Sequence, residues 1–123
     1  MSMANQLTVE RWARRVLGDD IFDNTKERAL RLVEEALELA QALEVDVGDL
    51  HRLVDYVYAR PVGDPAQEVA GTMVTLYAVA ASAGIDADTA FENEVLRIHT
   101  PEIEEKVRRR QAEKRAALVT SES

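Results

Sequence analysis

Apolar residues in this chain recur at spacings of three and four residues, and no stretch alternates regularly between apolar and polar residues. The first pattern is typical of amphipathic helices, and the second would indicate strands. Capping residues and prolines divide the chain into six predicted helices, at about residues 8–17, 24–43, 49–59, 65–84, 86–98 and 101–118. The pattern therefore predicts an all-α protein with a four-helix-bundle-type core and additional short N-terminal and C-terminal helices.

Most of the predicted helix starts carry a residue whose side-chain oxygen can accept a hydrogen bond from the first turn. Asn24 is followed by Glu27 at the spacing of a capping box, and Asp64 is followed by a proline, which suits a first helical turn. The predicted cap residues are Thr8, Asn24, Asp64, either Asp86 or Asp88, and Thr100. Val47 and Gly48 are expected to form a turn before the third helix, and the chain is expected to fray from about Val119.

The second and fourth predicted helices are apolar over more of their circumference than one packing partner can cover. In the second helix, the leucine, valine and alanine side chains from Ala29 to Leu43 spread over roughly 200°. The fourth helix is rich in alanine, which permits the close approach of another helix. Because a single small bundle would leave part of both faces exposed, we expect a homodimer or homotetramer, with Ala36 or Ala78 close to the contact between subunits.

The composition is that of an ordinary globular protein of 123 residues, with 46% hydrophobic and 31% charged residues. We expect one domain over residues 1–123, with its core at about 24–98. The net charge of −8 opposes binding to nucleic acid or to a membrane and suits divalent cations. The absence of cysteine excludes disulfides, thiolate metal sites and cysteine catalysis. Since the N-terminus also lacks a signal-peptide pattern, we expect a cytoplasmic protein.

The stretch between Glu68 and Asp86 contains no charged residue, which raises the question of a membrane span. Its threonines, serine and many alanines make it only weakly hydrophobic. It is also shorter than the roughly 20 strongly apolar residues that a span requires. The stretch therefore predicts a buried core helix.

A row of glutamates on the second helix borders its apolar arc. Glu34 and Glu38 are one turn apart on the same side, and Glu35 lies about 100° from Glu34 at the edge of the same polar arc. Because like charges at this spacing repel, a cation between them is favourable, and Mg²⁺ suits oxygen ligands. Glu68 is the one acidic residue inside the fourth helix. The alternative is a solvated face in which Arg31 pairs with neighbouring glutamates, while Glu68 complements the helix dipole.

The sequence Glu34-Glu35-x-x-Glu38 on an amphipathic helix, followed by Gln-Glu-Val-Ala at residues 67–70, resembles the MazG-like family of all-α nucleotide pyrophosphohydrolases. The resemblance extends over about residues 24–98. It implies an enzyme that cleaves a nucleoside triphosphate to the monophosphate and pyrophosphate, with Mg²⁺, or Mn²⁺ in its place, as cofactor. The metal ligands that it implies are Glu34, Glu35, Glu38 and Glu68.

The chain departs from the family pattern in two places. Where the second motif of the family ends in aspartate, three residues after Glu68, this chain has Gly71. Either the metal is held more weakly, or Glu92 or Glu94 replaces the missing ligand, or catalysis is reduced or lost. A lysine-then-asparagine pattern that holds phosphates in the family is also not preserved, since the corresponding stretch offers only Arg97 as a basic residue.

The family chemistry gives further residues a role. A glutamate that is not fully engaged with metal, Glu35 or Glu38, would orient or deprotonate the attacking water. The basic residues available to hold phosphates are Arg60, Arg97, Lys106 and Arg109. The alternatives are a simple turn at Arg60 and a solvated, charge-balanced helix surface at residues 106–110.

The leading hypothesis is therefore a Mg²⁺-dependent nucleoside triphosphate pyrophosphohydrolase. The alternative is a catalytically weakened helical bundle that binds nucleotide or a protein partner. A third hypothesis, a purely structural oligomer, predicts no metal dependence. His51 and His99 are isolated in the sequence, with no third histidine and no cysteine to complete a metal site, so neither is expected to act in catalysis.

Overall fold

The computed structural model of the protein describes residues 4–117. These residues form seven α-helices and no strand, which confirms the predicted all-α class. The helices are α1 (Ala4–Leu17), α2 (Asp19–Phe22), α3 (Thr25–Ala42), α4 (Val47–Tyr58), α5 (Pro65–Ser82), α6 (Ala87–Ile98) and α7 (Pro101–Ala117). All six predicted helices are present, and α2 is an additional short helix that the sequence pattern does not predict.

Side-chain caps at three helix starts agree with the prediction. Asn24 and Asp64 each accept a hydrogen bond from the backbone N–H three residues further along, at 3.1 and 3.0 Å. At α6 the cap is Asp86 and not Asp88, because Asp86 accepts a hydrogen bond from the N–H of Thr89 (3.1 Å). That hydrogen bond lowers the pKa of the Asp86 carboxyl group.

Two predicted helix starts are wrong. α1 begins at Ala4, so Thr8 lies inside the helix and does not cap it. α4 begins at Val47, and Asp46 caps it by accepting a hydrogen bond from the N–H of Gly48 (2.8 Å). Val47 and Gly48 therefore belong to the first turn of α4, because a capping carboxylate offsets the low helix propensity of glycine.

α7 begins at Pro101 as predicted, but the Thr100 side chain does not cap it. The Thr100 hydroxyl donates to the carbonyl oxygen of Arg97 in the last turn of α6 (3.1 Å). Thr100 therefore satisfies an acceptor at the end of the preceding helix. The predicted end of this helix at residue 118 and the fraying expected from Val119 lie outside the described residues.

The short helix α2 depends on one arginine of α1. The guanidinium group of Arg14 pairs with Glu10 (2.9 Å), with Asp19 (3.0 Å) and with Asp23 (3.0 Å). It also lies over the ring of Phe22, 4.5 Å from the centroid. The hydrogen bonds, above all the one to Glu10, raise the pKa of Arg14. These contacts position a helix that is too short for apolar periodicity to predict.

α5 and α6 repeat the dimensions of α3 and α4. α3 and α5 both contain 18 residues, α4 and α6 both contain 12, and each bound of the later two lies 40 residues after the corresponding bound of the earlier two. We call α3 and α4 the first helix pair and α5 and α6 the second helix pair. The chain thus uses the same helix lengths and the same connection length twice.

The turns within the two helix pairs close in the same way. Glu44 and Gly84 follow the last helical turn with a positive φ, of 67° and 73°. In each turn the next amide, of Val45 or Ile85, donates to a carbonyl near the end of the helix, at 3.0 and 2.9 Å. This is the Schellman arrangement, which favours glycine, so Glu44 adopts a backbone conformation that is disfavoured for a residue with a Cβ atom.

The helices fall into two compact units. Of the described residues, the first contains 4–32 and 91–117, and the second contains Val33–Ala90. In the first unit α1 packs closely against α2 and α7. The buried residues described in this unit are Ala13, Val16, Glu27, Glu104 and Gln111. Polar side chains therefore make up more than half of its small core.

Glu27 is the most deeply buried of the described side chains, with 1% of its surface exposed. Its carboxylate accepts a hydrogen bond from the Gln111 amide (2.6 Å) and pairs with Arg115 (3.2 Å). The Gln111 oxygen in turn accepts a hydrogen bond from Arg28 (3.2 Å), and burial lowers the pKa of Arg28. A continuous polar network therefore joins the start of α3 to α7.

Polar contacts also join α1 to α7. Arg15 donates two hydrogen bonds to the Glu104 carboxylate (3.0 and 2.7 Å), and Arg108 donates one to the backbone carbonyl of Val16 (2.9 Å). The Arg15 hydrogen bonds lower the pKa of Glu104 and raise that of Arg15. Directional contacts therefore hold α7 at successive helical turns.

The second unit buries little of its apolar surface. Ala80 is the only residue in it that is buried, whereas Val33 (52%), Val54 (55%) and Val74 (67%) are among the exposed large side chains of α3, α4 and α5. α5, which the sequence predicts to be a buried core helix, is therefore not buried in the single chain. Within residues 4–117 no single helix is long and apolar enough to cross a membrane, and only the bent pair α5 and α6 together reaches that length and composition.

Replacing Glu27 with alanine is expected to destabilise the protein, because Gln111 and Arg115 lose their shared partner. The free energy of unfolding should fall by about 2–4 kcal/mol. Glu105→Ala removes an exposed ion pair of α7 and should lower it by less than about 1 kcal/mol. Urea unfolding followed by circular dichroism compares the two variants, and equal losses would contradict a special role for the buried network.

Candidate functional site

A groove in the second unit runs between α3 and α4. It has a volume of about 480 Å³, and five of its nine lining residues are valine or leucine. The polar residues that line it are Glu34, Glu38, Gln41 and His51. An apolar surface with a few polar groups is the usual composition of a small-molecule site, and the volume falls in the usual range of about 300–1,000 Å³. We call it the α3–α4 groove.

Two helical faces form this groove. The lining positions are 34, 37, 38, 41 and 45 on α3 and the turn after it, and 47, 50, 51 and 54 on α4. Spacings of three and four residues place each set on one face of its helix. Both faces line the same groove, and only the turn at Glu44 and the Asp46 cap separate the two helices.

The structure brings together two of the three glutamates predicted on α3. Glu34, which is half-buried, and Glu38 line the groove together with Leu37. Glu35 is exposed and does not line it, as its angular offset of about 100° requires. The two carboxylates lie one turn apart on this face, next to apolar side chains.

Glu68 lies in the first turn of α5, the helix that Asp64 caps. Its carboxylate folds back onto the preceding loop and occupies the space that a Cβ atom at Gly63 would need. Glycine at position 63 is therefore required for this placement of Glu68.

The four predicted metal ligands do not converge. Within residues 4–117 no three carboxylate or imidazole groups come close enough together to hold one metal ion. Glu34 and Glu38 provide two oxygen ligands on one helix face. This donor set suits Mg²⁺, which commonly takes one or two carboxylates from a protein and fills its other positions with water and substrate phosphates.

The space around Gly71, where the MazG-like resemblance implies an aspartate, is open. A Cβ atom at Gly71 would meet nothing within 4 Å, so the first atom of a side chain fits there without a clash. Of the two acids considered as replacements, Glu94 accepts two hydrogen bonds from Arg97 (2.9 and 2.8 Å), which lower the pKa of Glu94. Glu92 is exposed on α6.

The four predicted phosphate-binding residues are dispersed. Arg60 lies over the ring of Tyr56, 5.1 Å from the centroid, just after α4. Arg97 is bound to a glutamate of its own helix. Lys106 and Arg109 are exposed on α7. Of the four, Arg60 belongs to the same unit as the α3–α4 groove, and the other three belong to the first unit.

His51 is the residue of the groove that the sequence interpretation misses. It shares one face of α4 with Val47, Leu50 and Val54 at helical spacing. A histidine on an otherwise apolar helix face is the sequence signal that could have identified His51. His99 has different surroundings, since its Nδ1 atom lies 2.6 Å from a backbone carbonyl one turn earlier in α6.

Comparisons of the chain with protein-family models, with curated proteins and with solved structures found no match.

Proposed function

We propose that the protein is a Mg²⁺-dependent nucleoside triphosphate pyrophosphohydrolase, which releases pyrophosphate and a nucleoside monophosphate. The observation that carries the proposal is the α3–α4 groove, where Glu34 and Glu38 lie side by side next to an apolar surface. Both are residues that the MazG-like resemblance implies as metal ligands. The carboxylates supply oxygen ligands, and the apolar surface offers room for the rest of a nucleotide. The absence of cysteine fits a cytoplasmic location.

Glu34 and Glu38 would hold the ion, with Glu35 and Glu68 as the further ligands that the resemblance implies. Mg²⁺ at such a site supplies neutralisation of phosphate charge and a more acidic bound water. The residues of the chain position the triphosphate and move one proton. In this proposal a carboxylate oxygen of Glu38, or of Glu35, accepts the proton of the attacking water.

The charge of the chain determines how a triphosphate can bind. With a net charge of −8, the protein repels a free triphosphate, so the substrate binds favourably together with cations. Arg60 is the proposed phosphate contact with the best support, because it shares a unit with the groove and rests on Tyr56.

A second candidate function is the binding of nucleotide or of a protein partner without catalysis. It is favoured by the surroundings of Glu68 and Gly71, since the Glu68 carboxylate lies against Gly63 and Gly71 offers no side chain. A site with two carboxylates holds a divalent ion more weakly than a site with four. Nucleotide binding without release of pyrophosphate would identify this function.

We also propose that the protein assembles as a homodimer or homotetramer. The support is the apolar surface of the second unit, where Ala36 and Ala78 are exposed among large apolar side chains. An interface between two copies can cover apolar side chains of this kind, since obligate homodimers bury about 2,000–5,000 Å² in total.

The purified protein is expected to release pyrophosphate from nucleoside triphosphates only when Mg²⁺ or Mn²⁺ is present. Glu38→Gln should lower the rate about 100-fold, as expected for loss of a general base. The matched control is Glu113→Gln, at an exposed position of α7. Release is measured over a panel of ribonucleotides and deoxyribonucleotides. Hydrolysis that continues without a divalent cation would contradict the proposal.

Gly71→Asp is expected to raise both the affinity for Mg²⁺ and the rate of pyrophosphate release. The open space at Gly71 accommodates the side chain, and aspartate has a higher helix propensity than glycine by up to about 0.5 kcal/mol. Gly71→Asn has nearly the same shape without the charge and should give neither gain. If Gly71→Asp instead abolishes activity, Gly71 serves packing or substrate access, and Glu92→Gln and Glu94→Gln then test which acid is the ligand.

Ala78→Glu is expected to lower the association state, because it places a charge on the exposed apolar surface of α5. Ala112→Glu introduces the same charge at an exposed position of the polar helix α7 and should leave the association state unchanged. Sedimentation equilibrium at tens of micromolar protein compares both variants with the wild type. A wild-type protein that is a monomer under these conditions would refute the proposed assembly.

A further inference from the structure

We propose that α7 is a detachable strap, which hydrogen bonds and ion pairs hold against α1 and the start of α3 and which can leave them while the other helices remain folded. The inference concerns the first unit alone and does not depend on the proposed enzymatic function. It rests on the chemistry of the α7 face that contacts these two helices and on the contacts that α1 keeps without α7.

The face of α7 that contacts α1 and α3 is polar. It consists of four residues at spacings of four, three and four, which form one row along the helix: Glu104, Arg108, Gln111 and Arg115. The first two contact α1, and the other two contact Glu27 of α3. In most amphipathic helices apolar residues occupy such a row and face the core. α7 therefore docks with the reverse pattern.

Apolar side chains contribute little to the docking of α7. The two largest in this helix are Ile103 and Val107, which are only half-buried, whereas its buried residues are Glu104 and Gln111. When the whole helix leaves, water replaces the lost partner of each hydrogen bond, so neither member of a pair stays buried alone. The hydrophobic effect that retains an ordinary packed helix is therefore weak here, and α7 is expected to open at a lower free energy than the rest of the first unit.

Glu104 carries one of the two buried charges that hold α7. Arg15 of α1 donates two hydrogen bonds to its carboxylate, and Trp12 of α1 and Arg108 of α7 also interact with it. These contacts, above all the hydrogen bonds from Arg15, lower the pKa of Glu104 from its ordinary value of 4.5. Because the docked state favours the charged carboxylate, its contribution to docking is complete above about pH 4.5 and is lost as the pH falls toward the lowered pKa.

Glu27 carries the second charge. Its carboxylate contacts Gln111 and Arg115 of α7, and it also interacts with the charge of Arg28 on its own helix. Glu27 is 1% exposed while α7 is docked, so its charge depends on these partners for compensation. The docked position of α7 therefore depends on the charges of two buried carboxylates.

α1 has other partners that remain when α7 leaves. The guanidinium group of Arg14 pairs with Asp19 at the start of α2 and lies over the ring of Phe22. The indole N–H of Trp12 donates to the backbone carbonyl of Ile98 at the end of α6 (2.9 Å). Because none of these contacts includes a residue of α7, α1 stays attached to α2 and to the end of α6.

The first test follows the wild-type protein from neutral pH to about pH 3. Trp12 reports the docking of α7, because it is the only tryptophan of the chain and interacts with Glu104. We expect its fluorescence emission to shift to longer wavelength in a transition below about pH 4.5, as Glu104 loses its charge. The helical circular dichroism measured in parallel should fall by no more than the share of α7 in that transition.

The second test measures hydrogen–deuterium exchange by mass spectrometry at neutral pH. Glu104→Gln is expected to raise the exchange rate of the α7 amides about tenfold, equivalent to about 1.4 kcal/mol, and to leave the amides of α5 unchanged. The matched control is Glu113→Gln, which makes the same change at an exposed position of α7 and should resemble the wild type.

One transition shared by the Trp12 emission and the whole circular dichroism signal would show that α7 unfolds only with the rest of the protein, which overturns the proposal. Equal acceleration of exchange in α5 and α7 overturns it for the same reason. Unchanged exchange in α7 of Glu104→Gln would show that this charge does not hold the helix, and the strap is then also wrong. If Glu104→Gln does not fold, the titration of the wild-type protein decides.

Discussion

The short connection between α3 and α4 is the constraint on which the groove depends. α3 ends at Ala42, Glu44 turns the chain with a φ of 67°, and α4 begins under the Asp46 cap. Because each residue advances a helix face by about 100°, the point at which α3 ends determines which of its side chains face α4. Glu34 and Glu38 lie on that face. Moving the end of α3 by one residue would rotate other side chains into the groove.

The two units are stabilised by opposite means. In the first unit the buried carboxylates of Glu27 and Glu104 have arginine and glutamine partners, so their charges are compensated within the chain. Contacts of this kind are directional and specify one arrangement of the helices. In the second unit the large side chains are apolar and exposed, and the hydrophobic effect stabilises any arrangement that covers them. The sequence of the second unit therefore specifies its helices more strongly than it specifies their packing.

Patterns among residues close together in the sequence were sufficient to predict the helices and part of the candidate site. The caps at Asn24 and Asp64 are contacts between residues three apart, and the pairing of Glu34 with Glu38 follows from the helical period alone. Features that depend on contacts between elements were not predicted. α2 requires Arg14 of another helix, His51 gains its place from the face of α3 opposite it, and the Glu68 carboxylate lies against a loop glycine that no periodicity connects with it.

At the α3–α4 groove, burial of the apolar side chains is linked to the electrostatics of the neighbouring carboxylates. Leu37 and Val47, which are 44% and 63% exposed, line the groove together with Glu34 and Glu38. Whatever covers these apolar side chains also removes water from the neighbouring carboxylates, and interactions between charges strengthen as the local dielectric constant falls. In the proposed function, a cation held by Glu34 and Glu38 would then bind more tightly. Since coupling between two binding events is reciprocal, a bound cation would in turn favour coverage of the apolar surface by a nucleotide or a second copy of the chain.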